Sequence, residues 1–139
     1  MDYVLGYGVA LVLVAISVTI HYETLKRLAG LRQRPGRHRW LILITMYSVL
    51  VAHVVEIWIF GGGYWFAVDF LELGNIISIS DPFDFVYYSA MVYTTVGFGD
   101  LIPDGPIRVI TSTEGLVGLS LITWSASFTY LQMASVWRD

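Results

Sequence analysis

Between Tyr93 and Leu101 the chain reads Thr94-Thr95-Val96-Gly97-Phe98-Gly99-Asp100, and the chemistry open to such a run belongs to its backbone. Two glycines alternating with Val96 and Phe98 admit conformations that other residues resist, so successive carbonyls can point to one side. A strip of carbonyls facing one way can replace the hydration shell of a cation. The bland reading of Gly-x-Gly-Asp is a tight turn on a surface loop. Here the run follows an aromatic, helix-like segment, Phe83 to Tyr93, and lies between two membrane-length apolar stretches, a setting that no surface turn requires.

A second set of reactive groups sits in apolar surroundings. His53 and Glu56 are three residues apart and so share one face of a helix. Ionisable groups in such a span are costly and point into protein rather than lipid. Counting about 1.5 Å per residue from the outer helix ends sets His53, Glu56 and Glu114 at similar depth. This predicts one polar cluster of the three, supporting the strip from behind. A His/Glu metal site is the rival chemistry, and the pair lacks an obvious fourth ligand. His21 is expected at headgroup level as an amphipathic anchor. Nothing pairs a nucleophile with a base, so the chain does not read as an enzyme, and with no cysteine there is neither disulfide nor thiolate chemistry.

The elements that must hold these groups are membrane helices. At 56% hydrophobic, 15% aromatic and 14% charged residues over 139, the chain is too apolar for an ordinary soluble domain. Tyr3 to Tyr22 carries no formal charge and has the about 20 residues that cross a hydrocarbon core. It starts beside Asp2 without a basic flank or small-residue cleavage site, unlike a cleaved signal peptide. Trp40 to Phe60 and a run from Pro106 to Trp137 complete three expected spans. Gly61-Gly62-Gly63 reads as a flexible break opening an external connection over 61–80, with a short helix near Phe66 to Leu73. Tyr64, Trp65 and Phe66 suit the membrane interface. Asp81, Pro82 and Asp84 start a helix over 82–93, with Asp81 as cap, Pro82 in the first turn and Asp84 as a capping-box acid.

Six of the eight Lys and Arg residues, Lys26, Arg27, Arg32, Arg34, Arg37 and Arg39, fall between the first two spans. That side is therefore expected to be cytoplasmic, with the N-terminus out and the C-terminus in. These residues crowd around Gly30, Pro35 and Gly36 instead of recurring every third position in an apolar helix, so they set topology and meet anionic lipid but sense no voltage. The outer side collects Asp69, Glu72, Asp81, Asp84, Asp100 and Asp104.

The run Thr95-Val96-Gly97-Phe98-Gly99 resembles the TVGYG filter of the potassium channel pore family, and from Pro82 to Tyr130 the chain is similar to that family. His53-x-x-Glu56, Glu114-x-x-x-Gly118 and Thr123-Trp124-Ser125-Ala126 extend the resemblance to small bacterial three-helix members of the two-helix-pore class. The resemblance implies an all-α integral membrane protein of the bacterial inner membrane, with three transmembrane helices, a re-entrant pore helix over 82–93 and a filter over 94–100. Residues 1–39 form a peripheral helix and basic loop, and 40–139 a pore module with outer helix 40–60 and inner helix 106–137. One chain supplies one strand, so four copies are expected around a closed axis. K⁺ is implied at Thr95, Val96, Gly97 and Phe98, with Gly99 completing the filter and Thr94, Tyr88 and Asp100 supporting it. A Tyr88 to Asp100 hydrogen bond is implied.

The acid that some members place three after the second aromatic is here Met91, and Phe98 lacks a tyrosine hydroxyl, which implies a less tightly held outer filter. Gly118 falls at the inner-helix hinge or at a close helix contact. Leu119, Ile122, Ala126 and Tyr130 share a face expected to line the cavity, with Tyr130 narrowing the mouth. The expected partners are membrane lipid, K⁺ ions and further copies of the chain, with no nucleic acid and no cofactor beyond the permeant ion. The chain ends soon after the third helix, so no nucleotide- or Ca²⁺-gating domain is expected. The rival readings are a non-selective cation channel and a non-conducting membrane scaffold or sensor on a pore-like fold.

Overall fold

The computed structural model describes residues 1–31 and 38–136. The expected basic connection at Arg32, Arg34 and Arg37, and the chain beyond Val136, lie outside the described residues. Three long helices pack on one another, α1 (Asp2–Leu31), α2 (His38–Asp69) and α4 (Ile107–Val136), with the short helix α3 (Phe83–Tyr93) set against α2 and α4. α1 and the part of α2 from Trp40 are long and apolar enough to cross a membrane. α4 matches α1 in length at 30 residues but carries more serine and threonine.

α1 runs nine residues past Tyr22, so Lys26 and Arg27 are helical. Its buried positions are Gly6, Ala10, Leu13, Ser17, His21, Leu25 and Leu28, a three-or-four-residue spacing that makes one stripe down one side. Small residues in this stripe let backbones approach, as membrane helices need where lipid is as apolar as leucine. At Gly6 an added Cβ would stand 3.3 Å from the Pro106 carbonyl oxygen.

The expected break at Gly61-Gly62-Gly63 is not a break, because α2 continues through it to Asp69. Two of the three glycines are contact points. A Cβ at Gly61 would lie 2.9 Å from Val86 Cα in α3, and one at Gly63 would overlap the Leu13 side chain of α1. Gly62 faces open space. Tyr64 is wholly buried and so is no interface anchor, packing with Phe60, Ala67, Leu73, Phe85 and Ile110 in the larger apolar cluster. A smaller cluster, Leu25, Leu28 and Val49, closes the other end.

The connection after α2 contains no helix over Phe66 to Leu73 of its own. It leads instead into β1 (Asn75–Ile77), antiparallel to β2 (Ile102–Asp104), with Ile76 opposite Pro103. Gly74, at φ +119°, lies against the Asp104 carbonyl where a side chain would collide, and the Ile107 N–H donates to the Leu73 carbonyl at 2.8 Å. This small ribbon fixes the far end of the glycine-rich run.

At Gly118 a Cβ would run into the Tyr93 carbonyl, and α4 is continuous through that position. Gly118→Ala and Gly61→Ala are each expected to destabilise the protein by about 1–3 kcal/mol through overpacking. Gly62→Ala is expected to be neutral or stabilising by up to about 1 kcal/mol, the ordinary helix preference for alanine. SDS-titration unfolding midpoints check this, and equal midpoints for Gly61→Ala and Gly62→Ala would contradict it.

Candidate functional site

The strip begins where α3 ends. Thr94 donates its N–H to the Ala90 carbonyl at 3.1 Å and its hydroxyl to the same oxygen at 2.6 Å. Thr95 donates to Val92 at 3.0 Å and Gly97 to Met91 at 3.2 Å. These bonds take up the last carbonyls of α3, groups a helix otherwise leaves unpaired. Thr95 does so at φ +60°, a left-handed conformation in which a β-branched residue is an outlier. Gly97 follows at φ +52° and Gly99 at φ +79°, while Val96 and Phe98 between them are not left-handed. Alternating handedness turns over every second peptide plane relative to an extended strand, which gathers consecutive carbonyls on one side.

Among the described residues no hydrogen bond ends on a carbonyl of Thr95 through Asp100. Every residue from Thr94 to Asp100 is exposed in the single chain, Val96 at 54% and Phe98 at 71%, whereas Tyr93 just before them is fully buried. Such backbone is tolerated at membrane depth only where protein or an aqueous pathway covers it. In the single chain these carbonyls are left open and without a protein partner among the described residues.

The outer end is held by Tyr87, whose hydroxyl donates to Asp100 Oδ2 at 2.9 Å. The expected partner, Tyr88, is turned about 100° around the helix. It is buried, lies 2.9 Å from Thr111 Oγ1 and packs edge-on against Tyr64. Met91, in place of an acid, lines a cavity of about 170 Å³ together with Tyr87, Phe98, Asp100 and Pro103.

Behind the strip lie two polar groups where one was expected. In the first, Glu56 is fully buried, with Oε1 2.9 Å from His21 Nδ1 and Oε2 bonded by the Tyr93 hydroxyl and 3.3 Å from His53 Nδ1. His53 Nδ1 is also 2.8 Å from the Tyr93 oxygen, and Ser125 Oγ is 3.0 Å from His21 Nε2. In the second, Glu114 Oε2 accepts the Tyr64 hydroxyl at 2.5 Å and Oε1 lies 2.5 Å from Ser89 Oγ, itself 2.8 Å from the Ile57 carbonyl. Ser89 and Tyr93 are one turn apart on α3 and each takes one carboxylate, so Glu114 does not join His53 and Glu56.

His21 is likewise not at headgroup level. It is fully buried, because α1 does not end near it. Tyr93, Ser125, Ser89 and Tyr64 were not anticipated in these groups. The available signal for His21 was the stripe continuing beyond Tyr22 through Leu25 and Leu28, which places it inside a helix face.

On α4, Ile122, Ala126 and Tyr130 line a cleft of about 370 Å³ whose other wall includes His53 and Val49 of α2, and Leu119 is exposed nearby.

A family model described as an ion channel matches residues 39–133, taking in α2, α3, the strip and nearly all of α4 but not α1. No curated protein and no solved structure matches the chain.

At the head of α3, Asp84 Oδ2 accepts the N–H groups of Ser80 at 2.7 Å and Asp81 at 3.0 Å, while Asp81 Oδ1 accepts that of Phe83 at 2.8 Å. The Ser80 and Asp81 N–H groups hold the Asp84 carboxyl below its ordinary range. A lowered folded-state value stabilises the fold above the unfolded pKa of about 3.9, and the benefit is lost as pH falls through the depressed value. Asp84→Asn is expected to lower stability at neutral pH and to flatten this part of the acid-induced loss. Unfolding midpoints between neutral pH and about pH 3 check it, and parallel wild-type and variant curves would contradict it.

Proposed function

We propose that this chain, which belongs to the ion channel family, conducts potassium as one of four identical subunits. In this reading α1, α2 and α4 span the membrane, α3 is a re-entrant pore helix, and residues 94–100 are the selectivity filter. The observation that carries it is the strip itself, with left-handed residues at Thr95, Gly97 and Gly99 and carbonyls without internal partners.

Four strips around an axis convert unpaired carbonyls into rings that stand in for an ion's water. K⁺ sits between carbonyls of Thr95, Val96, Gly97 and Phe98, with the Thr95 hydroxyl at the inner entrance. Ions in neighbouring sites displace one another, so that binding is favourable enough to enter and weak enough to leave. α3 ends at Tyr93 directly below the strip, and its negative dipole end favours a cation there. Asp100 and Asp104 raise the local cation concentration outside. The six basic residues from Lys26 to Arg39, at the end of α1 and before the body of α2, set the N-terminus outside and the C-terminus inside. His53, Glu56 and Glu114 hold the pore helix from behind, and Ile122, Ala126 and Tyr130 line the inner cavity.

A looser outer filter, with non-selective cation flux, is the second reading. It is favoured by the exposed Phe98 and by Met91 where an acidic brace would stand.

The test is ion flux into liposomes holding the purified protein under K⁺ or Na⁺ gradients. K⁺ flux with little Na⁺ flux is expected, and Gly97→Ala, which adds about 1–2 kcal/mol of left-handed strain per subunit, is expected to abolish it. Equal K⁺ and Na⁺ flux would support the non-selective reading, and no flux from folded protein would overturn conduction. Tyr130→Ala is expected to raise open probability in single-channel records, and unchanged opening would remove Tyr130 as the constriction.

A further inference from the structure

We propose that His21, His53 and Glu56 form a binding site for a transition-metal ion of the Zn²⁺ type, pinning α1 to the pore module. This goes beyond the channel reading and does not depend on whether the strip conducts.

One ligand atom from each of the three residues lies within 4.8 Å of the others. His21 Nδ1 is 2.9 Å from one oxygen of Glu56, and His53 Nδ1 is 3.3 Å from the other. Two imidazoles and a carboxylate form the mixed nitrogen and oxygen donor set that suits Zn²⁺ over Mg²⁺ or Ca²⁺. Ligand bonds of about 2.0–2.2 Å in a tetrahedral site put donors about 3.4 Å apart, between the 2.9 Å of the closest pair and the 4.8 Å that bounds the group. The sequence pair His53 and Glu56 was short of ligands. The fold supplies His21 from 35 residues away, and three protein ligands leave the fourth position to a solvent oxygen.

The surroundings fit a metal site in two further respects. With metal on Nδ1, a neutral His21 carries its proton on Nε2, which then donates to Ser125 Oγ at 3.0 Å. An outer partner of this kind fixes ring orientation in metal sites. A divalent ion on one carboxylate leaves a net positive charge, and the negative end of α3 terminates at Tyr93 beside it. Entry is through the cleft of about 370 Å³ lined by His53, Ser125 and Tyr130, which reaches His53, the one partly exposed member of the three.

The experiment is calorimetric titration of the purified full-length protein with Zn²⁺, together with visible absorption of the Co²⁺ form. One Zn²⁺ per chain is expected, uncontested by excess Ca²⁺, with an intense tetrahedral Co²⁺ spectrum. His53→Gln and Glu56→Gln are each expected to weaken binding more than tenfold, and Ser125→Ala by about tenfold. His38→Ala, at the one histidine outside the cluster, is expected to leave it unchanged. Where a ligand variant fails to fold, the Co²⁺ spectrum and the Zn²⁺-induced rise in unfolding temperature of the wild type decide. An octahedral Co²⁺ spectrum, absence of saturable binding, binding that survives His53→Gln and Glu56→Gln, or loss with His38→Ala would each overturn the site.

Discussion

Tyr93 is where the two demands on this chain meet. The run after it lies open, without helix or strand and with carbonyls that no described residue bonds, while Tyr93 itself is fully buried. The Tyr93 side chain reaches backward into the Glu56 group, and its carbonyl lies on the bare backbone of Gly118. The last turn of α3 is thereby fixed to both long helices that flank it. Beyond that point Thr95 is left-handed, Gly97 is tied back to Met91, and Tyr87 and the β1–β2 ribbon hold the outer end. A hydrogen bond to a charged group is worth about 1.5–3 kcal/mol, comparable to the strain of one β-branched residue at positive φ.

The same interaction explains how α1 is attached. Helices in lipid gain little from burying leucine against leucine, so their contacts depend on close fit and polar bonds. α1 offers both: Gly6 and Ala10 at one end of its stripe, and His21, bonded to α2 through Glu56 and to α4 through Ser125. The ion channel family match begins at residue 39, yet α1 meets the buried core of the matched region through a side chain with no exposed surface. A buried carboxylate that lost one such donor would keep its desolvation cost without compensation.

Much of this was legible from the residues. Membrane-length apolar runs announced the long helices, Asp81-Pro82 with Asp84 announced the start of α3, and the alternating glycines announced an irregular backbone. The remainder depended on packing that local sequence does not carry. Gly61-Gly62-Gly63 has the composition of a break but lies inside a helix, because Val86 and Leu13 occupy the space that side chains would fill. Tyr87 and Tyr88 are interchangeable by type, and only the rotation of α3 decides which meets Asp100. His53 and Glu56 were visible as a pair, but the pairing with His21 spans two helices, and Glu114 was drawn off by Tyr64 and Ser89. The β1–β2 ribbon, three residues on each strand, is too short for any periodic signal.

In the proposed channel, residues 95–99 of four chains face one another across an axis. A density map of the purified protein in lipid nanodiscs tests it most directly. Fourfold symmetry is expected, with the carbonyls of Thr95, Val96, Gly97 and Phe98 turned to the axis and ion density between them. A monomer, or an assembly in which this strip lies away from the axis, would contradict it.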